Sequence, residues 1–351
     1  MKRNNTKTVM IGQVQVGGNA PIRVQSMTNT DTRDIKATLA QIAALAAQDC
    51  EIVRVAVQNK AAADALSLII KECDVPLIAD IHFDHRLALA AIAAGVDGLR
   101  INPGNIGGKT KVRELVAAAR EREVPIRIGV NAGSLEKRFI ERDGGVTAGA
   151  MVESALSHVR ILEDLNYTNI KISIKASGLP IMLEAYRSIS QMVDYPLHIG
   201  VTEAGTPGYG TIKSAIGIGI LLEEGIGDTI RVSLAGDPVD EVKAAYDILK
   251  ALGLRQKGVE LIACPTCGRT QIDLIRIAKE VEEKLSNLNK PLTVAVMGCT
   301  VNGPGEAREA DIGIAGGKGS GLIFRKGFII RQVEEERLVE ELLKEINEWQ
   351  D

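Results

Sequence analysis

The chain has 351 residues, 45% hydrophobic and 25% charged, which is the balance of a soluble globular enzyme and leaves room for one large core and a smaller one. Aromatic residues make up only 3%, so the core is built from Ile, Val, Leu and Ala, and the stacking platforms of a single-stranded nucleic-acid binder are lacking. A net charge of −3 exerts no general pull on nucleic acid or anionic membranes. No apolar run approaches the ~18 residues of a membrane span. The N-terminal MKRNNTKTVMIGQVQVGG is basic but has no apolar stretch of signal-peptide type, so the expected location is cytoplasmic.

Strand-length apolar runs alternate with helix-length segments through the first 255 residues. The strands are expected at 22–26, 51–57, 75–81, 98–102, 125–130, 170–174, 197–202 and 229–234. The first helix is DIKATLAQIAALAAQD, where Ile35, Leu39, Ile42 and Leu45 recur on one face. Others are expected near 60–72, 84–94, 109–122, 148–165, 178–193, 210–224 and 238–252, with Gly95, Gly225 and Gly253 as left-handed C-caps. Eight strand–helix units at roughly 30-residue spacing meet the requirement of a (β/α)8 TIM barrel of about 250 residues. A doubly wound open sheet shares the alternation, and the count of eight favours the barrel.

Within the strands, alternate residues separate into two classes. Val53, Val55 and Val57 share a face and leave Arg54 and Gln58; Leu99 and Ile101 leave Arg100 and Asn102. Ile126, Ile128 and Val130 leave Arg127, Gly129 and Asn131; Ile172 and Ile174 leave Lys171, Ser173 and Lys175. Ile230, Val232 and Leu234 leave Arg231 and Ser233. Asp80 and His82 lie on the polar face of the third strand, and His198 and Thr202, followed by Glu203, on that of the seventh. The aliphatic faces must pack under helices, so Arg54, Arg100, Arg127, Lys171, Lys175 and Arg231 converge on the lumen or its upper rim. Asp80 and Glu203 cannot neutralise six cations, and each uncompensated buried ion costs several kcal/mol. Structural ion pairs near the lower end are plausible for Lys171 and Arg231. The set as a whole calls for a polyanion, most naturally a diphosphate held by arginine forks.

Glycine-rich stretches carry less. PGNIGG (103–108) and TEAGTPGYG (202–210) could present backbone N–H groups to an anion. GGKGSG (316–321) fails as a P-loop, because Ile312 stands where the first Gly should be and no Ser or Thr follows Lys318. His82 and His85 lack the spacing of a helical zinc pair, and His85 reads as a surface residue at a helix start. Cys50 and Cys73 read as buried packing residues.

The pattern changes near 259, where a smaller domain (259–351) is expected to follow the barrel (1–255). VELIACPTCGRT puts Cys264 and Cys267 in a turn between a short strand and a helix (270–286), and LTVAVMG delivers Cys299 into CTVNGPGEA. Three thiolates lack a fourth cysteine; Glu306, behind the N-G-P-G turn, is the nearest candidate for the remaining ligand. An iron–sulfur cluster, a zinc ion and a redox dithiol all compete here, and the cluster accounts for the most residues.

CPTCGRT and GCTVNGPGEA, with 31 residues between Cys267 and Cys299, resemble the cluster domain of the bacterial 4-hydroxy-3-methylbut-2-enyl diphosphate synthase family. The resemblance extends over nearly the whole chain, through PIRVQSMTNTDTRD (21–34), LRINPGN (99–105), RIGVNAGSLEK (127–137) and GVTEAGT (200–206), with no departure at the motif positions. It implies a barrel of the dihydropteroate synthase type followed by an α+β domain of ferredoxin or sulfite reductase type. It also implies a 4Fe–4S cluster on Cys264, Cys267, Cys299 and Glu306, and a head-to-tail homodimer in which one subunit's cluster domain closes over the partner's barrel. The implied substrate is 2-C-methyl-D-erythritol 2,4-cyclodiphosphate, reduced and opened with two electrons from flavodoxin or ferredoxin in the methylerythritol phosphate route to isoprenoids. By position, Arg54, Arg100, Arg127 and Lys175 are the expected diphosphate clamp, with Asn102, Asn131, Thr202, Arg231 and Ser233 around it. Glu306 is the expected displaceable ligand. Glu203 is the expected proton donor, provided that burial raises its pKa. The competing readings are a pterin-type transferase barrel with structural zinc, and a phosphate-binding barrel whose metal module only mediates dimerisation.

Overall fold

The computed structural model describes residues 3–285, 288, 290–299, 305 and 307–349. The chain divides into two compact units, 1–255 and 256–351. The first begins with an antiparallel hairpin, β1 (Val9–Ile11) and β2 (Val14–Val16), too short to stand out in the sequence. Its Val9, Ile11 and Val16 pack on Ile52 and Ile78, covering the N-terminal end of the strands that follow.

Those strands are β3 (Arg23–Met27), β4 (Ile52–Ala56), β5 (Leu77–Asp80), β6 (Gly98–Ile101), β7 (Ile126–Asn131), β8 (Ile170–Lys175), β9 (His198–Ile199) and β10 (Thr229–Ile230). All pair in parallel in the order β8-β7-β6-β5-β4-β3-β10-β9, and a parallel bridge from Ile172 to Leu197 joins the two ends. The sheet is therefore a closed barrel and not an open doubly wound one. The last two strands are shorter than the sequence predicts. A Cβ on Gly200 would stand 2.3 Å from the Arg231 carbonyl oxygen, so a glycine is required where these two strands end.

Among the described residues nine α-helices surround the barrel: α1 (Ile35–Ala46), α2 (Lys60–Lys71), α3 (His85–Ala94), α4 (Lys109–Glu121), α5 (Lys137–Asp143), α6 (Ala148–Glu163), α7 (Leu179–Met192), α8 (Tyr209–Glu223) and α9 (Pro238–Ala251). Side-chain caps start several of them: Asp34 accepts from Ala37 N, Asn59 from Ala62 N, and Thr147 from Ala150 N. Gly95, Gly225 and Gly253 take the expected positive φ. The short α5, with Phe139 buried, has no counterpart in the eight-helix reading. Val53, Val55, Leu99, Ile101, Ile126, Ile128, Ile172 and Ile174 all lie in the core between strands and helices, which commits their polar neighbours to the lumen. Cys50 is buried as expected, its thiol pushed up to about 12 by burial, whereas Cys73 is half-buried. His85 is not a surface residue: its ring is largely covered, 3.8 Å from Asp84 and from Glu114.

Among the described residues the second unit holds a five-stranded mixed sheet. Its strands β11 (Glu260–Ala263), β12 (Thr293–Met297) and β13 (Ile312–Gly317) are parallel, and β14 (Ser320–Arg325) pairs antiparallel with both β13 and β15 (Phe328–Glu334). Helix α10 (Leu274–Leu285) and the C-terminal helix (Leu338–Asn347) bury Ile277, Val281, Leu342 and Ile346 against Val294, Val296, Ile312 and Ile314. The GGKGSG stretch is the β13–β14 hairpin, turning at Lys318 and Gly319, which explains why it only superficially suggests a phosphate loop. Among the described residues no helix is long and apolar enough to cross a membrane.

Candidate active site

The parallel register aligns Asp80, Arg100, Arg127 and Lys171 across β5 to β8, and Asn131 with Lys175. All but Asn131 are buried in the lumen. Asp80 is the anionic hub. It meets Arg100 Nη1 at 3.1 Å and Arg54 Nε at 3.4 Å. Burial pushes its carboxyl up, but Arg54, Arg100 and Arg127 outweigh that and hold it below the usual carboxylate value. Arg54 also directs Nε and Nη2 at Met27 Sδ (3.2 and 3.0 Å), a weak acceptor. Burial lowers the Arg54 pKa to about 10 against the pull of Asp80.

Arg100 donates from Nη2 to the Gly129 carbonyl at 3.0 Å, and its Nη1 lies 3.0 Å from His82 Nε2. Two lumen-facing glycines make room for cations: a Cβ on Gly129 would stand 2.5 Å from Arg100 Nε, and one on Gly200 2.8 Å from Lys175 Nζ. Asn102 Oδ1 accepts the Gly129 N–H at 3.0 Å. Arg127 stands out, because its Nε and Nη1 are buried without a hydrogen-bond partner among the described residues. Burial, then repulsion from Arg54 and Arg100, drives its pKa well below the usual arginine value. Lys171 and Lys175 are lowered likewise, by burial first and by Arg127 next. His198, wholly buried and hydrogen-bonded to Thr229 Oγ1 at 2.8 Å, is also held well below the usual imidazole value.

Two residues with an alternative structural role divide. Arg231 forms a two-point ion pair with Glu241, from Nε at 3.1 Å and Nη2 at 3.2 Å, leaving Nη1 beside Met27. Lys171 forms no such pair: its Nζ is buried without a hydrogen-bond partner among the described residues. The nearby carboxylate of Asp228 is already engaged by Arg3, Thr6 Oγ1 and Leu197 N. Thr202, Ser233 and Asn131 sit half-buried at the C-terminal rim. Glu203 stands on the same rim but is exposed, with φ +52°, so the barrel alone does not provide the burial expected of it.

In the second unit, Cys264 follows β11 and Cys299 follows β12, at the C-terminal edge of two paired strands. Cys264 Sγ accepts the Gly298 N–H at 3.1 Å, which brings the first loop against the residue preceding Cys299. Cys267 is exposed; its N–H donates to Thr270 Oγ1 at 3.1 Å. That Thr270 contact holds the chain in a turn, so α10 begins at Leu274 and not near 270. The loops after β11 and β12 carry three soft sulfur donors, one already accepting a backbone N–H, and thiolates are the donor type a thiophilic metal centre takes. Glu306 lies outside the described residues. Among the described residues no three His, Cys, Asp or Glu side chains are grouped closely enough for a single metal ion.

A family model described as the GcpE TIM-barrel domain matches residues 6–246, and one described as the GcpE protein C-terminal domain matches 260–348. The chain belongs to the GcpE family. It is 64% identical over 341 residues to a Geobacter sulfurreducens protein named 4-hydroxy-3-methylbut-2-en-1-yl diphosphate synthase (flavodoxin), covering 97% of each chain. A Clostridium perfringens protein of the same name is 61% identical over 344 residues, covering 98% of this chain and 99% of the relative. Among solved structures, dihydropteroate synthases of Xanthomonas albilineans and Yersinia pestis match at a TM-score of 0.50 and 12% identity. They cover 71% and 70% of this chain and 97% and 98% of their own, a likeness of fold alone.

In this GcpE chain two lumen contributors escape the sequence reading. Met27 ends β3, one residue beyond the predicted strand, and supplies the sulfur that Arg54 meets. Glu241 sits on the buried face of α9 with Ala245 and Ile248, at i, i+4 and i+7. A lone acid on an otherwise apolar stripe is the signal that could have found it. It also accepts from Ser26 Oγ and Leu234 N, tying β3 and the rim loop to Arg231.

Proposed function

We propose that this chain is a 4-hydroxy-3-methylbut-2-en-1-yl diphosphate synthase, an oxidoreductase that reductively opens 2-C-methyl-D-erythritol 2,4-cyclodiphosphate with electrons from reduced flavodoxin. The observation that carries this reading is the buried, under-compensated cation set of the lumen, above all Arg127, whose Nε and Nη1 have no hydrogen-bond partner among the described residues. A diphosphate supplies the charge that Asp80 cannot. Arg54, Arg100, Arg127 and Lys175 bind and neutralise it, and Asn102, Asn131, Thr202 and Ser233 orient it by hydrogen bonds from the rim. Arg231, held by Glu241 through Nε and Nη2, has Nη1 against the weak acceptor Met27 Sδ, which the same anion would displace.

Cys264, Cys267 and Cys299, with Glu306 as the fourth ligand, would hold a 4Fe–4S cluster, which supplies single-electron transfer and a Lewis-acidic iron for the departing hydroxyl. Glu203 is the proton donor of this reading. It is exposed on the barrel, so another surface must cover it to exclude water from the proton transfer, and a head-to-tail homodimer would provide one. The exposed rim also lets the substrate enter before that closure.

The test is iron, sulfide and EPR measurement on anaerobically purified protein, with and without the cyclodiphosphate, alongside turnover with reduced flavodoxin. About four irons and four sulfides per chain, and a spectrum altered by the cyclodiphosphate, are expected. A colourless protein carrying one zinc ion would overturn the reading.

A further inference from the structure

Outside the lumen, one buried histidine is tied to the two loops that carry Asn102 and Asn131. The inward face of α6 is apolar except for Ser154 and His158, four residues apart on one side of the helix. His158 is 2% exposed, and its Nδ1 accepts the Gly104 N–H at 3.1 Å. An accepting Nδ1 carries no proton, so the neutral ring is protonated at Nε2. That nitrogen lies 3.2 Å from Glu136 Oε1, oblique to the N–H direction. The other Glu136 oxygen accepts from Ser154 Oγ at 2.6 Å.

Gly104 belongs to the short 3-10 turn Pro103–Asn105 after β6, two residues beyond Asn102. A Cβ there would stand 2.6 Å from His158 Cε1, so the ring sits directly on the loop backbone. Glu136 caps the start of α5, five residues beyond Asn131 at the end of β7. One imidazole therefore joins the loop after β6 to the loop after β7. Asn102 in turn anchors the Gly129 N–H, and Gly129 O receives Arg100, so the tie continues into the lumen cations.

We infer that His158 is a positioning residue for the diphosphate site, holding the Asn102 and Asn131 loops at a fixed separation through Gly104 and Glu136. This rests on the lumen being that site. The test uses the full-length protein with its metal centre and inorganic pyrophosphate as the probe, titrated calorimetrically. Iron content, unfolding midpoint and steady-state constants are measured in parallel. His158→Phe keeps a ring and removes both nitrogens; His158→Asn restores an acceptor near the Nδ1 position.

Orphaning one buried N–H and freeing two loops should weaken pyrophosphate binding about tenfold or more in His158→Phe. The KM for the cyclodiphosphate should rise similarly, with kcat within about twofold and iron content unchanged. His158→Asn should recover most of the affinity. The inference is overturned if His158→Phe lowers the unfolding midpoint yet binds pyrophosphate as the parent does, or if His158→Asn is no better than His158→Phe. Should His158→Phe not fold, Glu136→Ala probes the other end of the tie: binding about threefold weaker or more supports it, and unchanged affinity refutes it. If Arg127→Met binds pyrophosphate like the parent, the underlying site assignment falls instead.

Discussion

Arg127→Met should stabilise the barrel while destroying its site. Arg127 is 3% exposed and makes no hydrogen bond or ion pair among the described residues; Arg54 and Arg100 repel it more strongly than the shared Asp80, and after it Tyr186, attract it. Methionine fills much of the same volume without the charge. Replacing poorly compensated buried charge by an apolar side chain typically stabilises by about 1–4 kcal/mol. For a unit of this size each kcal/mol raises the unfolding midpoint by roughly 2–4 °C. Truncating one partner of a buried charge contact to a ligand costs about 2–5 kcal/mol, or roughly 30-fold to several thousand-fold in affinity. Scanning calorimetry without ligand and pyrophosphate titration on the same preparations read the two effects separately. A lower midpoint with unchanged pyrophosphate affinity would refute the reasoning, because Arg127 would then be a structural residue.

Asp80→Asn should do the reverse. Removing the carboxylate that serves both Arg54 and Arg100 leaves buried cations without their counter-ion, so a loss of about 3–5 kcal/mol is expected by chemical denaturation; a change within 0.5 kcal/mol (about the scatter of surface substitutions) would contradict it. Diphosphate binding should also draw protons from solution. Lys171 and Lys175 lie well below the usual lysine value in the free protein because of burial and Arg127. A bound polyanion raises both, so over the pH range between free and bound values each lysine gains a proton on binding. Titrations in buffers of different ionisation enthalpy should show uptake that shrinks in Lys175→Met; net release would argue against a cationic lumen gripping the anion.

The strand–helix alternation, the aliphatic and polar faces of each strand, and the three cysteines with their turn residues were legible because they are local patterns. Period-2 burial alone places Arg54, Arg100, Arg127, Lys171 and Lys175 on one side of the sheet, and it does so whether the sheet is open or closed. Closure, through the Ile172–Leu197 bridge, is what turns these cations of four strands into one enclosed set. Which cation is compensated was not legible at all. Arg231 and Lys171 have the same status in the sequence, yet Glu241 of α9 reaches Arg231, while Asp228 is engaged by Arg3 and two other donors before it can serve Lys171. His158 was silent for the same reason: its partners Gly104 and Glu136 lie 54 and 22 positions away, on loops that meet only once the barrel has brought β6 and β7 together. The sequence by itself determined the chemistry on offer, cations facing in and thiolates in tight turns. The tertiary structure decided which of those groups have partners, because charge compensation depends on distances of a few ångströms between residues far apart in the chain.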